Sequence, residues 1–214
     1  DGPSHAGAFD PAYLGTVPNM MLMAAADEVE LMHMVATQAL HDEGPSAVRY
    51  PRGEAIGLAL PARGAPLEIG KGRVIREGSR ICILSYGTRL EQAVQAAERL
   101  DAEGWRTSVV DARFMKPLDT ELIARMAREH EAVFTIEEGA VGGFGSHVAH
   151  FLANSGHFDN GLKFRCMVLP DSYIDQDTPV SMYDVAGLNA EQIFARVCEL
   201  MGKGAAQPTL PKRA

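Results

Sequence analysis

The chain has 214 residues, 46% hydrophobic and 22% charged, a globular composition that excludes a largely disordered or collagen-like protein. No run of about 18 apolar residues occurs, which excludes a membrane-spanning helix. Lys plus Arg number 20 against 28 Asp plus Glu, a net charge of -8; such a chain is a poor general binder of nucleic acid but can still hold a local basic pocket.

Cys82, Cys166 and Cys198 are far apart, odd in number and without a CxxC. Neither a disulfide framework nor a structural zinc site fits, and a reducing, cytoplasmic setting is expected. The sequence opens at Asp1 in a polar DGPSH loop with no Met before it, so a piece of a longer chain is expected.

In chain order, Asn19–Ala25 is a short apolar run read as a buried strand. Asp27 with Glu30 has the spacing of a capping box and starts a helix. Leu31, Met34, Val35 and Ala39 supply its apolar face, and Gly44-Pro45 marks its stop. Ser46–Tyr50 reads as a second strand, so this segment is a strand–helix–strand unit with a parallel crossover. Residues 57–79 are rich in Gly and Pro and read as a linker with one strand near Gly72–Arg76.

From Arg80 onward, strands are expected at Ile81–Ser85, Thr107–Asp111, Ala132–Ile136 and Phe164–Leu169. Helices are expected at Leu90–Glu103, Thr120–Glu129, Gly145–Ala153 and Ala190–Met201. Capping boxes are expected at Thr88 with Glu91 and at Asn189 with Gln192. The alternation implies a three-layer α/β domain over 80–202, followed by a frayed tail at 203–214.

Three clusters could carry chemistry. Asp1-Gly2-Pro3-Ser4-His5 presents an acid and an imidazole on one turn, a pair able to orient and move a proton. An ordinary turn with a surface His is the commoner meaning of such a loop. Arg49-Tyr50-Pro51-Arg52 ends a strand. Ligands of open α/β sheets bind beyond the carboxyl ends of strands, so Arg52 is better placed than Arg49 to fork onto a phosphate; a surface ion pair is the alternative.

Glu137-Glu138-Gly139 through Gly142-Gly143-Phe144-Gly145 joins a strand to a helix but matches no nucleotide fingerprint, and reads as a tight packing turn. His147 and His150 lack a third ligand and read as solvated, and the Met run at 20–34 reads as core filling. The residues alone thus imply an α/β protein with an anion pocket near His5 and Arg52.

DGPSHAGAFDPAYL, PNMMLMAAADEVEL and SAVRYPRG resemble the later half of the pyrimidine-binding domain of the 1-deoxy-D-xylulose-5-phosphate synthases, within the transketolase superfamily. GKGRVIREGSRICILSYGT, VVDARFMKPLD, TIEEGAVGGFGSHV and LPDSYIDQ resemble that family's C-terminal domain. The resemblance implies a pyrimidine-binding part at 1–56, a linker at 57–79 and a transketolase-type C-terminal domain at 80–202. It implies a thiamine-diphosphate- and Mg2+-dependent transferase. Such an enzyme condenses pyruvate with D-glyceraldehyde 3-phosphate, releases CO2 and supplies isoprenoid, thiamine and pyridoxal synthesis.

By the same resemblance His5 and Asp1 face the substrate, Arg52 binds the acceptor phosphate with Arg49 the lesser candidate, and the assembly is a homodimer. Glu137, Glu138 and the glycine turn would then be structural. Ser4 replaces the family's commoner Thr, and Ala25-Ala26 stands where Pro-Ser is common. The GDG…N motif that binds Mg2+ and diphosphate is not among these residues, so its ligands are expected on an N-terminal part, and this segment alone is expected to be inactive. A split subunit of a transketolase-type enzyme and a non-catalytic module of the same fold are the alternatives.

Overall fold

The computed structural model describes residues 2–202. Asp1 and the expected tail at 203–214 lie outside the described residues. Pro3–His5 forms one 3-10 turn, entered through Gly2 at φ 68°, a backbone angle that glycine adopts without strain. A short helix α1 (Asp10–Leu14) follows. Strand β1 (Met21–Ala24), helix α2 (Glu28–Ala39) and strand β2 (Ser46–Arg49) then make the expected crossover unit, with β1 and β2 parallel and Met21 opposite Ser46.

β3 (Arg73–Arg76) is the one strand of the linker region and joins the main sheet antiparallel to β5 (Thr107–Asp111). The remaining elements are β4 (Ile81–Tyr86), α3 (Leu90–Ala102), β6 (Phe114–Lys116), α4 (Thr120–Glu129), β7 (Ala132–Glu137), α5 (Phe144–Asn154), β8 (Lys163–Met167), α6 (Pro179–Ala186) and α7 (Ala190–Met201). The large sheet has the order β3-β5-β4-β7-β8, parallel except for β3.

Both faces of this sheet are covered, which makes its inner strands apolar on both sides. Ile81, Ile83, Val109, Phe134 and Ile136 pack with Leu100 and Trp105 and with Ile193 and Val197 of α7. Cys82, Leu84, Val110 and Val133 pack on the other side with Met126 of α4 and Phe144, Val148 and Leu152 of α5.

β6 was not legible in the sequence, and it is the joint of the molecule. Just two residues after β5, the chain leaves the large sheet and pairs antiparallel with β1, giving a small sheet of order β2-β1-β6. Arg113 makes the turn at φ 56°. The alternation of β1 then serves two cores. Leu22 and Ala24 enter the core shared with α4 and α5, while Met21 and Met23 pack with Met34 and Phe114. Of the Met run, Met20, Met21, Met23 and Met34 fill or pack against the cores as expected, whereas Met32 joins neither of them.

Three helix starts depart from the expected capping boxes. Asp27 accepts from the Glu30 amide at 2.8 Å, half of the expected box. The Glu30 side chain does not reach back; it is buried and takes both nitrogens of the Arg113 fork at 2.7 and 2.8 Å, with Arg73 at 3.0 Å. A bidentate guanidinium outcompetes a single amide for a carboxylate. Thr88 gives its hydroxyl to Glu138, and α3 starts at Leu90, behind Arg89, without a side-chain cap. Asn189 donates to the Val180 carbonyl and Gln192 bonds Asp184; Gln92 of α3 instead accepts from the Ala190 amide.

The buried residues of α2 are Glu30, Met34 and Thr37, whereas Val35 and Ala39 are exposed. The helix also stops at Ala39, short of Gly44. The linker lies along this helix. Glu28 accepts from the Gly57 and Leu58 amides, His33 from Ala65 and Thr37 from Leu67.

Candidate functional site

The carboxyl end of β2 opens into a cleft of about 500 Å³ between the two sheets. His5, Arg49 and Arg52 all line it, so the structure brings together the three described candidates of the sequence. The 3-10 turn exposes His5, with Ser4 Oγ 2.9 Å from its Nδ1. Arg52 stands three residues beyond the end of β2 on the exposed rim. Arg49 is half-buried. Its Nη2 donates to the Gly7 carbonyl at 3.1 Å, and its Nη1 lies 3.9 Å from Glu138 Oε2.

Residues that sequence reasoning did not assign to a site form the rest of the wall. Tyr86 is buried at the end of β4, stacked on Phe144 with ring centroids 5.1 Å apart. Burial pushes its hydroxyl pKa well up, so it stays neutral. Met182 and Tyr183 come from α6, a helix absent from the sequence reading. Its signals were present: Thr178 caps Ser181, Pro179 takes the first helical position, and Gly187 closes in the left-handed region.

Tyr183 donates to Glu138 at 2.6 Å, and Arg89 stacks over its ring at 3.6 Å. Burial, with Glu138 alongside, raises the Tyr183 pKa.

The glycine turn is the packing turn that was expected, and Glu137 explains why. Its buried carboxylate accepts from the Phe144 amide at 2.9 Å and the Gly145 amide at 2.8 Å. An acid of the preceding strand thus fills the anion position at the start of α5. Burial raises its pKa, against the pull of those two N–H groups. Gly143 is small because a Cβ there would collide with that carboxylate.

His150 is exposed, but His147 is half-buried rather than solvated, and burial with Lys116 beside it lowers its pKa. Among the described residues no group of three or more His, Cys, Asp or Glu is placed to hold a metal. None of the described helices is long and apolar enough to cross a membrane.

A doubly covered, mostly parallel sheet joined to a crossover unit, with a cleft lined by Arg49 and Arg52 where they meet, is a transketolase-type α/β architecture. Residues 1–56 match the family described as transketolase, pyrimidine binding domain, and residues 70–193 match that described as transketolase, C-terminal domain. The chain belongs to the transketolase family. It is similar to a solved structure titled "Split gene transketolase, inactive beta4 tetramer", with 29% identity and a TM-score of 0.73. The match covers 92% of this chain and 62% of that one, so the chain spans less than two thirds of its length.

Proposed function

We propose that the chain is the acceptor-binding and C-terminal portion of a 1-deoxy-D-xylulose-5-phosphate synthase, a thiamine-diphosphate-dependent transferase acting on pyruvate and D-glyceraldehyde 3-phosphate. The observation that carries this reading is the convergence of His5, Arg49 and Arg52 on one cleft at the carboxyl edge of β2. Arg52, with a planar fork on an open rim, takes the phosphate of the acceptor. Arg49 adds positive charge behind it. His5 is exposed to the cleft and moves a proton at the acceptor's oxygen, with Asp1 as its acidic neighbour in sequence.

The described residues do not fit the metal and diphosphate end of the cofactor. They offer no cluster of metal ligands, and Glu137 occupies the anion position at the start of α5. The reading therefore assigns Mg2+ and diphosphate ligands to other residues of the enzyme and limits this chain's roles to the acceptor. We divide the chain into a pyrimidine-binding part (1–56), a linker (57–79), a C-terminal domain (80–202) and a tail (203–214), working as a homodimer in a reducing cytoplasm.

The test is a calorimetric titration with D-glyceraldehyde 3-phosphate and with unphosphorylated D-glyceraldehyde. The phosphorylated aldehyde should bind more tightly, and Arg52→Ala should remove about ten- to a hundredfold of that preference, the value of a hydrogen bond to a charged group. Equal affinity for the two aldehydes overturns the proposal. The split-gene title of the similar structure favours a second reading, a subunit that pairs with a separate diphosphate-binding chain. That reading requires activity to appear only on mixing two polypeptides.

A further inference from the structure

Glu138 is a buried acid at the joint between the two sheets, and its two oxygens are divided between them. Oε1 is taken up by the C-terminal domain: it accepts from Thr88 Oγ1, from Arg89 Nε at 3.0 Å and from the Tyr183 hydroxyl at 2.6 Å. Oε2 faces Arg49 of β2, 3.9 Å away. Arg49 in turn donates to the Gly7 carbonyl, two residues after His5.

A second tie runs beside this one, from the Ala140 amide to the Ala8 carbonyl at 3.0 Å. The loop after His5 is otherwise exposed from Ala6 to Gly7, and a loop with so few anchors is mobile unless held.

We infer that Glu138 is a positioning residue: acting through Arg49, it holds the loop that carries His5 at the rim of the cleft. The inference rests on the reading of His5 as part of the acceptor site. Three donors fix Oε1, so the carboxylate cannot rotate away, and its remaining charge sets where the Arg49 fork points. Arg49 is thereby committed to a backbone carbonyl. The C-terminal domain is then more than packing, because its turn at 137–143 sets the geometry of a loop belonging to the other sheet.

Glu138→Gln separates the two oxygens. Its amide oxygen can keep the three donors of Oε1, which places the NH2 group against Arg49, donor against donor. The experiment is 15N relaxation on the whole chain, comparing wild type, Glu138→Gln, Arg49→Met, the double variant, and a control, Glu131→Gln, whose exposed carboxylate pairs with Arg80 and Lys163 away from the cleft. In wild type, residues 5–8 should be as rigid as the sheet, with order parameters of about 0.85.

Glu138→Gln and Arg49→Met should each lower those order parameters below about 0.6. The double variant should be no looser than Arg49→Met alone, since both act through one link. The control should match wild type. If Glu138→Gln fails to fold, Glu138→Asp, which keeps the charge but draws it back from Arg49, takes its place in the comparison.

A loop that stays rigid in either single variant overturns the inference, as does additive loosening in the double. A titration with D-glyceraldehyde 3-phosphate keeps this result apart from the proposed function. If wild type shows no preference for the phosphorylated aldehyde, that function fails, while the order of residues 5–8 still decides the role of Glu138. Where the preference holds, Glu138→Gln should weaken binding about tenfold.

Discussion

Replacing Glu137 with Ala removes the acceptor of two buried amides, those of Phe144 and Gly145, at 2.9 and 2.8 Å. Each buried N–H left without a partner costs about 1–3 kcal/mol, and loss of a negative charge at a helix start adds about 0.5 kcal/mol. Removing a buried carboxylate also relieves the cost of keeping its charge out of water, which is why its pKa is raised. The net loss should be about 3 kcal/mol.

For a domain of this size that corresponds to a fall of about 6–12 °C in Tm. Glu137→Gln keeps one oxygen for one amide and should fall about half as far. The assay is thermal melting followed by far-ultraviolet circular dichroism, with the urea midpoint as a check. A drop of less than about 2 °C for the Ala variant would refute the claim that this acid anchors α5.

The phosphate preference lost in Arg52→Ala and the loop loosened in Glu138→Gln are two further predictions. A third concerns Asp111, which is buried between Arg73 and the Arg113 amide. Burial outweighs the guanidinium of Arg73 and pushes its pKa up to about 6. A carboxyl whose pKa is raised on folding favours the folded state fully below about pH 4, and that contribution, about 3 kcal/mol, is lost as pH rises through about 6. Urea midpoints at pH 4 and pH 7 should show this fall in wild type and lose it in Asp111→Asn; an unchanged difference between the two pH values contradicts it. Finally, Asp119 caps the Leu122 amide and also accepts from Gly72 of the linker, so Asp119→Ala should cost about 2 kcal/mol in urea unfolding.

Much of the fold was legible because its signals are local. Thr107–Asp111, Thr120–Glu129 and Ala190–Met201 have the bounds their periodicity implied. The parallel pairing of β1 with β2 followed from a crossover of helical length. The candidate site was legible in part. The arginine beyond a strand end and the His on a Gly-Pro turn do meet in one cleft. Tyr86, Tyr183 and Glu138 carry no spacing signal of their own, because what brings them there is the docking of one sheet on the other.

The sequence by itself determined most of the elements, though not α1, β6 or α6, together with the apolar strands of a doubly covered sheet and the placement of Arg52 past a strand end. These depend on residue types within a turn or two of each other, where steric preference and period act directly. Only the tertiary structure decided which partner each charged side chain takes. Glu30 has capping-box spacing, yet Arg113, 83 residues away, holds its carboxylate. Thr88 has the same spacing to Glu91, yet bonds Glu138 just past the end of the neighbouring strand β7, 50 residues away. A carboxylate settles on the strongest donors that folding brings within reach, and for Glu30 and Glu138 those donors come from elements distant in sequence.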